Sequence, residues 1–599
     1  MNKLPDRKDV PAADTWDLAS LYPSDAQWEA DLAKYAEQIP GYATFESTLG
    51  ESAESIVRCF EFDREVDLLA ERIGTYVFLR TTEDQANNHY QGMMGRYQAI
   101  ASRCSQAASY IRPKLLAIEP ERMQQFLNDP SLQDWRLTLE RIARYRPHTL
   151  SAAEERLLAM QAEMAQTASK TFRQLSDADL RFGTVENERG EPVDLTNATF
   201  GQLLYSPDRS VRLKAFNQYY QEFTEHENTL AATLAGSVHG DVYYARARRY
   251  PSAVEASLFP DNVPIAVYDN LIAAVREKLP AVHRYFELRR RRMGIDEIHH
   301  YDTYVPILAD QQTNYSWEEA VELVTASLQP LGGQYVDTLR GGLEGRWCDR
   351  YPNRGKQSGA FSCGSYAADP YILMNYKPTV LNDVFTLTHE AGHSMHSRLS
   401  ATNQPFQYYN YTIFVAEVAS TFNEQLLAAE LMKRWSDDRG RLAALINHEV
   451  DSIRATIIRQ TMFAEFERKI HAMAEAGEAL TVESFKTTYR ELLQDYFGPD
   501  FAIDPQLSLE CFRIPHFYRA FYVYKYATGL AAAIALSRRV LEGGRVELDA
   551  YLGFLKSGCS KDPLDLLRDA GVDMATPEPV RVALSHFDDL VGRLDELLG

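Results

Sequence analysis

Two histidines and a glutamate, His389, His393 and Glu390, have the types and the spacing that metal-assisted hydrolysis requires. The histidines are four positions apart, so on an α-helix their rings lie on one face, one turn apart. Two imidazoles in that arrangement can bind one metal ion through their ring nitrogens. Glu390 directly follows the first histidine, where its carboxylate can reach a metal-bound water without binding the metal. The pattern therefore predicts attack by a metal-activated water.

The spacing H-E-x-x-H is typical of zinc peptidases. Its flanks have a helical pattern of apolar residues, and no proline interrupts the stretch from 381 to 404. The apolar positions are Val384, Phe385, Leu387, Ala391, Met395 and Leu399. The alternative interpretation is a core helix that contains two histidines by chance, and the motif alone leaves that alternative open.

A catalytic zinc needs a third protein ligand. The extended motif H-E-x-x-H-x-x-G-x-x-H is excluded, because the chain has His396 and Leu399 at its last two defined positions. A glutamate on a following helix is the other source, and Glu417 lies among apolar residues in a helical stretch. A carboxylate in that setting needs a partner, for which a cation is most effective. Glu417 as a surface carboxylate is the alternative. Glu424, two turns on, is a candidate acceptor of a hydrogen bond from a ligand histidine.

The segment from 514 to 526 is rich in hydrogen-bond donors, which a peptidase needs to stabilise the oxyanion that forms at the carbonyl. It contains His516 and four tyrosines. Tyr518, Tyr522 and Tyr526 are spaced four apart and would share one helical face, whereas Tyr524 would point elsewhere. Aromatic stripes at this spacing usually pack in a core, and that alternative applies to at least two of these tyrosines.

The elements around these residues are predicted to be mainly helical. A hairpin is predicted around the turn from 186 to 190, and we place a boundary near 195. Residues 1–195 would form an N-terminal helical region and residues 196–599 a catalytic region. A glycine-containing turn leads to a short strand ending at Cys363, with Tyr371–Met374 as its partner. A small sheet just before the motif helix suits a peptidase, because an edge strand can bind an extended peptide; an ordinary structural hairpin is the alternative.

The composition excludes some partners. The chain has 599 residues, of which 45% are hydrophobic, and a formal net charge of -21. Such an acidic chain argues against binding to nucleic acid or to an anionic membrane. The start of the chain has no apolar signal region, and no apolar run approaches membrane-spanning length. Six scattered cysteines without a C-x-x-C pair fit reduced thiols in the cytoplasm. The oligomeric state is not indicated.

Several segments together resemble the M3 family of zinc oligopeptidases, most closely its oligoendopeptidase F branch. They span nearly the whole chain: Thr15–Leu18, Leu21–Pro23, Gly355–Ser362, His389–His393, Phe414–Thr421, Pro515–Tyr518 and Phe521–Gly529. The resemblance implies a mostly α-helical, two-lobed, clam-like zincin, with a deep substrate channel and one zinc ion at its floor. It also implies cytoplasmic hydrolysis of internal bonds in short peptides.

The resemblance also implies roles for individual residues. His389, His393 and Glu417 would be the zinc ligands, and Glu390 the general base and acid. His516 and Tyr524 would match the donors that stabilise the transition state. Thimet-type relatives bring more than one tyrosine to the site, but Phe521 stands where a second phenol would be sought, so Tyr522 is the substitute candidate.

Two competing interpretations come from other classes of protein. Glu390-x-x-His393 is also half of a di-iron carboxylate site, whose other half would need a second Glu-x-x-His on a helix. The segment from Glu297 to His300 has that spacing, but it follows Gly294 and leads into an extended stretch. A helical peptide-binding protein with a structural zinc is the other candidate, yet structural sites are usually closed and often use cysteine, which the motif lacks.

Overall fold

The computed structural model describes residues 4–308 and 314–599, and these are mostly α-helical, as predicted. The α-helices of eight residues or more are Asp25–Gln38, Ala53–Glu83, Asn88–Ala108, Pro120–Leu127, Arg136–Ala143, Ala152–Met160, Thr167–Gln174, Asn197–Leu204, Arg209–Glu225, Glu227–Ala247, Ile265–Met293, Trp317–Ser327, Gly333–Glu344, Leu381–Asn403, Ile413–Arg434, Arg439–Ile453, Arg459–Glu475, Val482–Phe497, Tyr524–Glu542, Arg545–Leu555 and Glu578–Leu598.

The chain divides into two compact units, each assembled from three separate segments. The first unit contains Met1–Thr149, Gln312–Glu430 and Leu536–Gly571. The second contains Leu150–Gln311, Leu431–Ala535 and Val572–Gly599. The division of the sequence into regions 1–195 and 196–599 stays a prediction.

Short strands form three small sheets. β1 (Thr184–Glu186) and β2 (Pro192–Asp194) pair antiparallel, which confirms the predicted hairpin. β3 (Ile298–His299) pairs in parallel with β7 (Phe501–Ala502). The third sheet has the order β4-β6-β5, with β4 (Cys348–Asp349), β5 (Phe361–Cys363) and β6 (Tyr371–Leu373).

The β4-β6-β5 sheet confirms the predicted pairing of the strand that ends at Cys363. β6 lies in the middle, parallel to β4 and antiparallel to β5. Tyr371 and Leu373 of β6 are buried in the hydrophobic core of the first unit, together with Trp16 and residues of the helix Ala53–Glu83. β5 is consequently an edge strand whose position is fixed through its well-packed neighbour.

Buried charges connect the N-terminal segment to the turn that leads into β5. The Arg7 guanidinium donates to both carboxylate oxygens of Asp349, at 2.9 and 2.5 Å. The Lys356 ammonium lies 2.6 Å from the same carboxylate and donates to the carbonyls of Asp349, Tyr351 and Met374. A buried ammonium is stable only when its donors are satisfied, as they are here. These bonds hold the approach to β5 in a defined conformation.

Among the residues that the structure describes, every helix is too short or too polar to cross a membrane.

Candidate metal centre and active site

The helix Leu381–Asn403, called the motif helix below, contains both motif histidines. Val384, Leu387, Ala391 and Met395 are buried. They recur every three or four residues and form one apolar face, as in a helix that packs against a core. His389 and His393 are only partly buried and line a cavity of about 520 Å³.

Three potential ligand atoms converge beside the motif helix. The Nε2 atoms of His389 and His393 are 3.2 Å apart. An Oε2 atom of Glu417 lies 3.2 Å from the first of these nitrogens and 3.4 Å from the second. Two imidazole nitrogens and one carboxylate oxygen are a ligand set that catalytic zinc commonly takes. The residues present therefore fit a zinc ion, and Glu417 comes from the next long helix, Ile413–Arg434, as the sequence predicts.

The electrostatics of this group favour a cation. Burial by itself lowers the pKa of His389, but the carboxylates of Glu417 and Glu424 raise it to about 10. Burial raises the pKa of Glu417, but the hydrogen bonds from His389 and His393 hold it well below its usual range. His389 therefore lies in a negative potential, where a proton or a metal ion is stabilised.

Glu424 makes the contact that its position in the sequence suggests. Its Oε1 atom lies 2.6 Å from Nδ1 of His389, the ring nitrogen opposite the one that faces Glu417. A carboxylate on the second ring nitrogen fixes the tautomer and the orientation of a metal-binding imidazole and makes it a stronger ligand. The structure thus gives Glu424 a contact through which it can orient His389.

Gly392 lets the two helices that carry these residues approach closely. A Cβ atom at this position would lie 2.6 Å from the carbonyl oxygen of Ala419 and 2.6 Å from Cα of Ser420. Both are backbone atoms of the helix that contains Glu417, so neither can move without shifting that helix. Gly392 is therefore a positioning residue, because the absence of its side chain sets the distance between Glu417 and the two histidines.

We expect Gly392→Ala to destabilise the fold by about 1–3 kcal/mol, the usual cost of overpacking, and to weaken metal binding because Glu417 is pushed away. Urea unfolding and metal titration would measure the two effects. Gly341→Ala is the matched control: it is also a helical glycine of the first unit, and apart from its own stretch of helix backbone no described atom lies within 4 Å of the position that an added Cβ would take. Equal metal affinity of Gly392→Ala and the wild type would contradict the role given to Gly392.

Glu390 lies beside the three ligand atoms but outside their group. It is buried, and burial raises the pKa of its carboxyl group, which also accepts a hydrogen bond from the backbone of Ser362. Ser362 belongs to β5, and its side-chain oxygen lies 2.8 Å from that of Ser394 on the motif helix. The cavity is lined by residues of β5, by residues of the motif helix and by Glu417. An edge strand, a carboxylate and the ligand group thus meet at one cavity.

Tyr411 also lines this cavity, and sequence reasoning missed it. Its ring stacks on that of His396, with centroids 3.7 Å apart, and its hydroxyl lies 3.0 Å from Oγ of Ser397. Burial lowers the pKa of His396 to about 3, so this third histidine of the motif helix stays neutral. The sequence around Tyr411 does not indicate that this residue lies at the cavity, because its position depends on the path of the segment before Glu417.

His516 and Tyr522 lie close together in the second unit. Their rings are nearly parallel, with centroids 6.4 Å apart, and Tyr526 packs edge-on against both. All three side chains are partly exposed. The guanidinium of Arg519 lies 3.8 Å above the ring of Tyr522. The structure thus groups His516 with the substitute tyrosine candidate.

Tyr524 has a different environment. It is 0% exposed, and its ring packs against that of Tyr268 with a centroid distance of 5.3 Å. Burial raises the pKa of its phenol well above the usual value. Tyr524 and Tyr522 therefore differ sharply in access. The prediction that Tyr518, Tyr522 and Tyr526 share one helical face was wrong, because the helix begins only at Tyr524 and Tyr522 lies in the turn before it.

Comparison with known proteins identifies the family of this chain. The model of peptidase family M3 matches residues 202–585, and the oligopeptidase F model matches residues 114–182. The chain belongs to peptidase family M3. It is a metalloendopeptidase, and its substrates are peptides.

Relatives of this M3 peptidase match it along its whole length. It is 42% identical to oligopeptidase PepF of Bacillus subtilis, over 100% of this chain and 89% of that protein. It is 37% identical to an oligoendopeptidase F homolog of Borreliella burgdorferi, over 97% of this chain and 98% of that protein. The crystal structure of oligoendopeptidase-F from Enterococcus faecium superposes with a TM-score of 0.73 at 34% identity, covering 96% of this chain and 99% of that one.

Proposed function

We propose that this M3 peptidase is a zinc-dependent oligoendopeptidase, which hydrolyses internal bonds of short peptides by attack of a water molecule. The observation that carries the proposal is the convergence of three ligand atoms, from His389, His393 and Glu417, within 3.4 Å of one another beside the buried Glu390. One zinc ion per chain would be held by these three residues. Zinc in such a site lowers the pKa of a water ligand to about 7 and polarises the carbonyl that is attacked.

Glu390 would move the protons of the reaction. Its raised pKa brings it closer to the pH at which a carboxylate can both accept and return a proton. It would take the proton from the attacking water as the new bond to the carbonyl carbon forms. It would then give that proton to the amide nitrogen as the carbon–nitrogen bond breaks. The products are one new carboxyl terminus and one new amino terminus.

The peptide would bind along β5. Within the described residues β5 pairs with β6 on one side, and its residues also line the cavity. An extended peptide that adds to such an edge gains backbone hydrogen bonds whatever its side chains are. This mode of binding suits an enzyme that acts on many different peptides, and it would orient the scissile carbonyl relative to Glu390.

His516 and a tyrosine would donate further hydrogen bonds to the oxyanion. These bonds would stabilise the negative charge that develops in the transition state. The family resemblance assigns this tyrosine as Tyr524, with Tyr522 as the substitute. The partial exposure of Tyr522 and its place beside His516 support Tyr522, because Tyr524 is fully enclosed against Tyr268.

We therefore expect Tyr522→Phe to lower kcat by about 10²–10³-fold with little change in KM, the scale for one oxyanion donor. Tyr524→Phe is the matched comparison and should lose less, because the hydroxyl that it removes is buried. Steady-state kinetics on one fluorogenic peptide would give both constants for each variant. Wild-type kcat for Tyr522→Phe, together with a 10²-fold loss for Tyr524→Phe, would return the role to Tyr524.

Size selection follows from the two-lobed shape with a deep channel, which we propose from the family resemblance. Only short, flexible chains would then reach Glu390. Mass spectrometry of a random peptide mixture and of denatured casein, each incubated with the enzyme, would test this. We expect cleavage of the short peptides and nearly intact casein; efficient internal cleavage of casein would contradict the proposal. The cytoplasmic location and the exclusion of nucleic acid and membrane as partners stay predictions.

A further inference from the structure

A π-helical turn, Arg454–Ile458, interrupts the long helical stretch from 439 to 475 in the second unit. The backbone N–H of Arg459 donates to the carbonyl of Arg454, five residues back. In a regular α-helix, side chains five residues apart differ in direction by roughly 140°. The wider turn brings Arg454 and Arg459 toward one face. Such turns are rare and recur at functional sites, so the arrangement calls for an explanation.

Both guanidinium groups lie over one aromatic platform. The rings of Phe286 and Phe497 stack with their centroids 5.1 Å apart and their planes 5° apart. The Cζ atom of Arg454 lies 6.0 Å from the centre of the first ring, and that of Arg459 lies 5.4 Å from the centre of the second. Stacking on aromatic faces holds guanidinium groups in place without using their N–H donors. Part of these donors is nevertheless used within the protein, because Nε of Arg454 donates to Asp451 and Nη2 of Arg459 donates to Glu510. Only the N–H groups outside these bonds can donate to a ligand.

Arg513 joins this group through Glu510. The carboxylate of Glu510 is buried and forms an ion pair with Arg459 and a second one with Arg513 at 3.3 Å. It also accepts a hydrogen bond of 2.8 Å from the hydroxyl of Tyr489. The side chain of Arg454 is 17% exposed, that of Arg459 is 15% exposed and that of Arg513 is 24% exposed. Each of these side chains is therefore mostly enclosed, with a small part exposed to solvent.

Positive charge is in excess at this place. A fourth arginine, the buried Arg289, lies 4.0 Å from Asp451. Asp451 also pairs with Arg454 at 3.2 Å. Four guanidinium groups thus share two carboxylates, Asp451 and Glu510, as their ion-pair partners among the described residues. Buried charges are normally matched, because an unmatched one loses its hydration. The excess is notable in a chain whose formal net charge is -21.

A neutral, buried histidine lies at the edge of the platform. His300 is 2% exposed, and its ring centroid lies 6.1 Å from that of Phe497. Burial lowers the pKa of His300 to about 3, so the ring adds no charge. Its Nδ1 atom has no hydrogen-bond partner among the residues that the structure describes. A buried polar atom without a partner is uncommon and is consistent with a ligand that completes the site.

We infer that Arg454, Arg459 and Arg513 form a binding site for an oxyanion, either a carboxylate or a phosphate. Guanidinium groups match both through paired N–H donors, and a bound anion would offset the excess charge. The two sources of this chemistry are free phosphate and the terminal carboxylate of a peptide. The second source rests on the proposed peptidase function, whereas the first does not.

Calorimetric titration with inorganic phosphate, at constant ionic strength, would test direct binding. We expect saturable binding to the wild type and at least tenfold weaker binding to Arg454→Gln, with part of it restored in Arg454→Lys. Arg441→Gln is the matched control, because Arg441 lies in the same helical stretch and also pairs with an aspartate three residues back, Asp438, at 3.5 Å. It should bind phosphate within twofold of the wild type. Thermal unfolding would verify that each variant is folded.

Kinetics with a matched pair of peptides, one with a free carboxyl terminus and one amidated, would identify the source. If the peptide carboxylate binds here, the wild type has a lower KM for the free acid, and Arg454→Gln removes that difference. If phosphate alone binds, the two KM values agree in both proteins, and only the calorimetric signal depends on Arg454.

The inference would be overturned if phosphate gave no binding signal and if no KM difference depended on Arg454. Phosphate binding of equal strength to the wild type and to Arg454→Gln would also overturn it, because it would place the anion elsewhere, for example at a metal ion. A chain that binds phosphate through Arg454 but cleaves no peptide would disprove the proposed function and leave this inference intact.

Discussion

Glu390→Gln is expected to retain the metal and to lose about 10²–10⁴-fold in kcat, the usual contribution of a general acid–base group. The amide has nearly the same size as the carboxylate but cannot accept the proton of the attacking water. Because Glu390 lies outside the three converging ligand atoms, its replacement leaves His389, His393 and Glu417 in place. Peptide binding should persist, so KM should change little.

Metal content and steady-state kinetics of the same preparation would check this prediction. Glu424→Gln is the graded comparison: its amide oxygen can still accept from Nδ1 of His389, and the loss should be about 10–100-fold in metal affinity or activity. A Glu390→Gln enzyme that turns over at the wild-type rate would remove Glu390 from the mechanism. A variant that loses its metal would instead make Glu390 a ligand or a structural residue.

His393→Ala is expected to lose both the metal and measurable peptide cleavage. Its Nε2 atom is one of the three converging ligand atoms, and two remaining ligands hold zinc poorly. The comparison with a third histidine of the same helix makes the test specific. His396 is neutral and buried, and its ring stacks on Tyr411 at 3.7 Å.

His396→Phe is therefore the matched control, because a phenyl ring can keep that stack. It should retain the metal and most of the activity, whereas His393→Ala should retain neither. Elemental analysis and peptide cleavage assays on both variants would give the answer. Metal in His393→Ala at the wild-type stoichiometry would show that the ion is held elsewhere.

The convergence of the three candidate ligands could be predicted from the sequence. The four-residue spacing of His389 and His393 determines their shared helical face, and a carboxylate with apolar neighbours, Glu417, needs a cationic partner. The structure brings all three together. The pairing of β5 with β6 was also predictable, because two short β-type segments are separated by turn residues. Such features depend on residues that are close in the chain, or on a charged group in apolar surroundings that only a few kinds of partner can stabilise.

Features that depend on packing between distant segments were not predictable. The contact of Gly392 with Ala419 and Ser420 requires the crossing of two helices, and a glycine within a helical pattern does not reveal it. Tyr524 is buried by contact with Tyr268, a residue that is far from it in the chain. The grouping of Arg454 with Arg459 depends on a π-helical turn, and a spacing of five residues suggests opposite faces in a regular helix.

The most direct measurement for the central claim is peptide cleavage as zinc is restored, in known amounts, to enzyme from which a chelator has removed the metal. We expect no cleavage without zinc, a linear rise, and a plateau at one zinc ion per chain, with no recovery in His393→Ala. Full cleavage by the metal-free enzyme, or a recovery in His393→Ala equal to that of the wild type, would contradict the account.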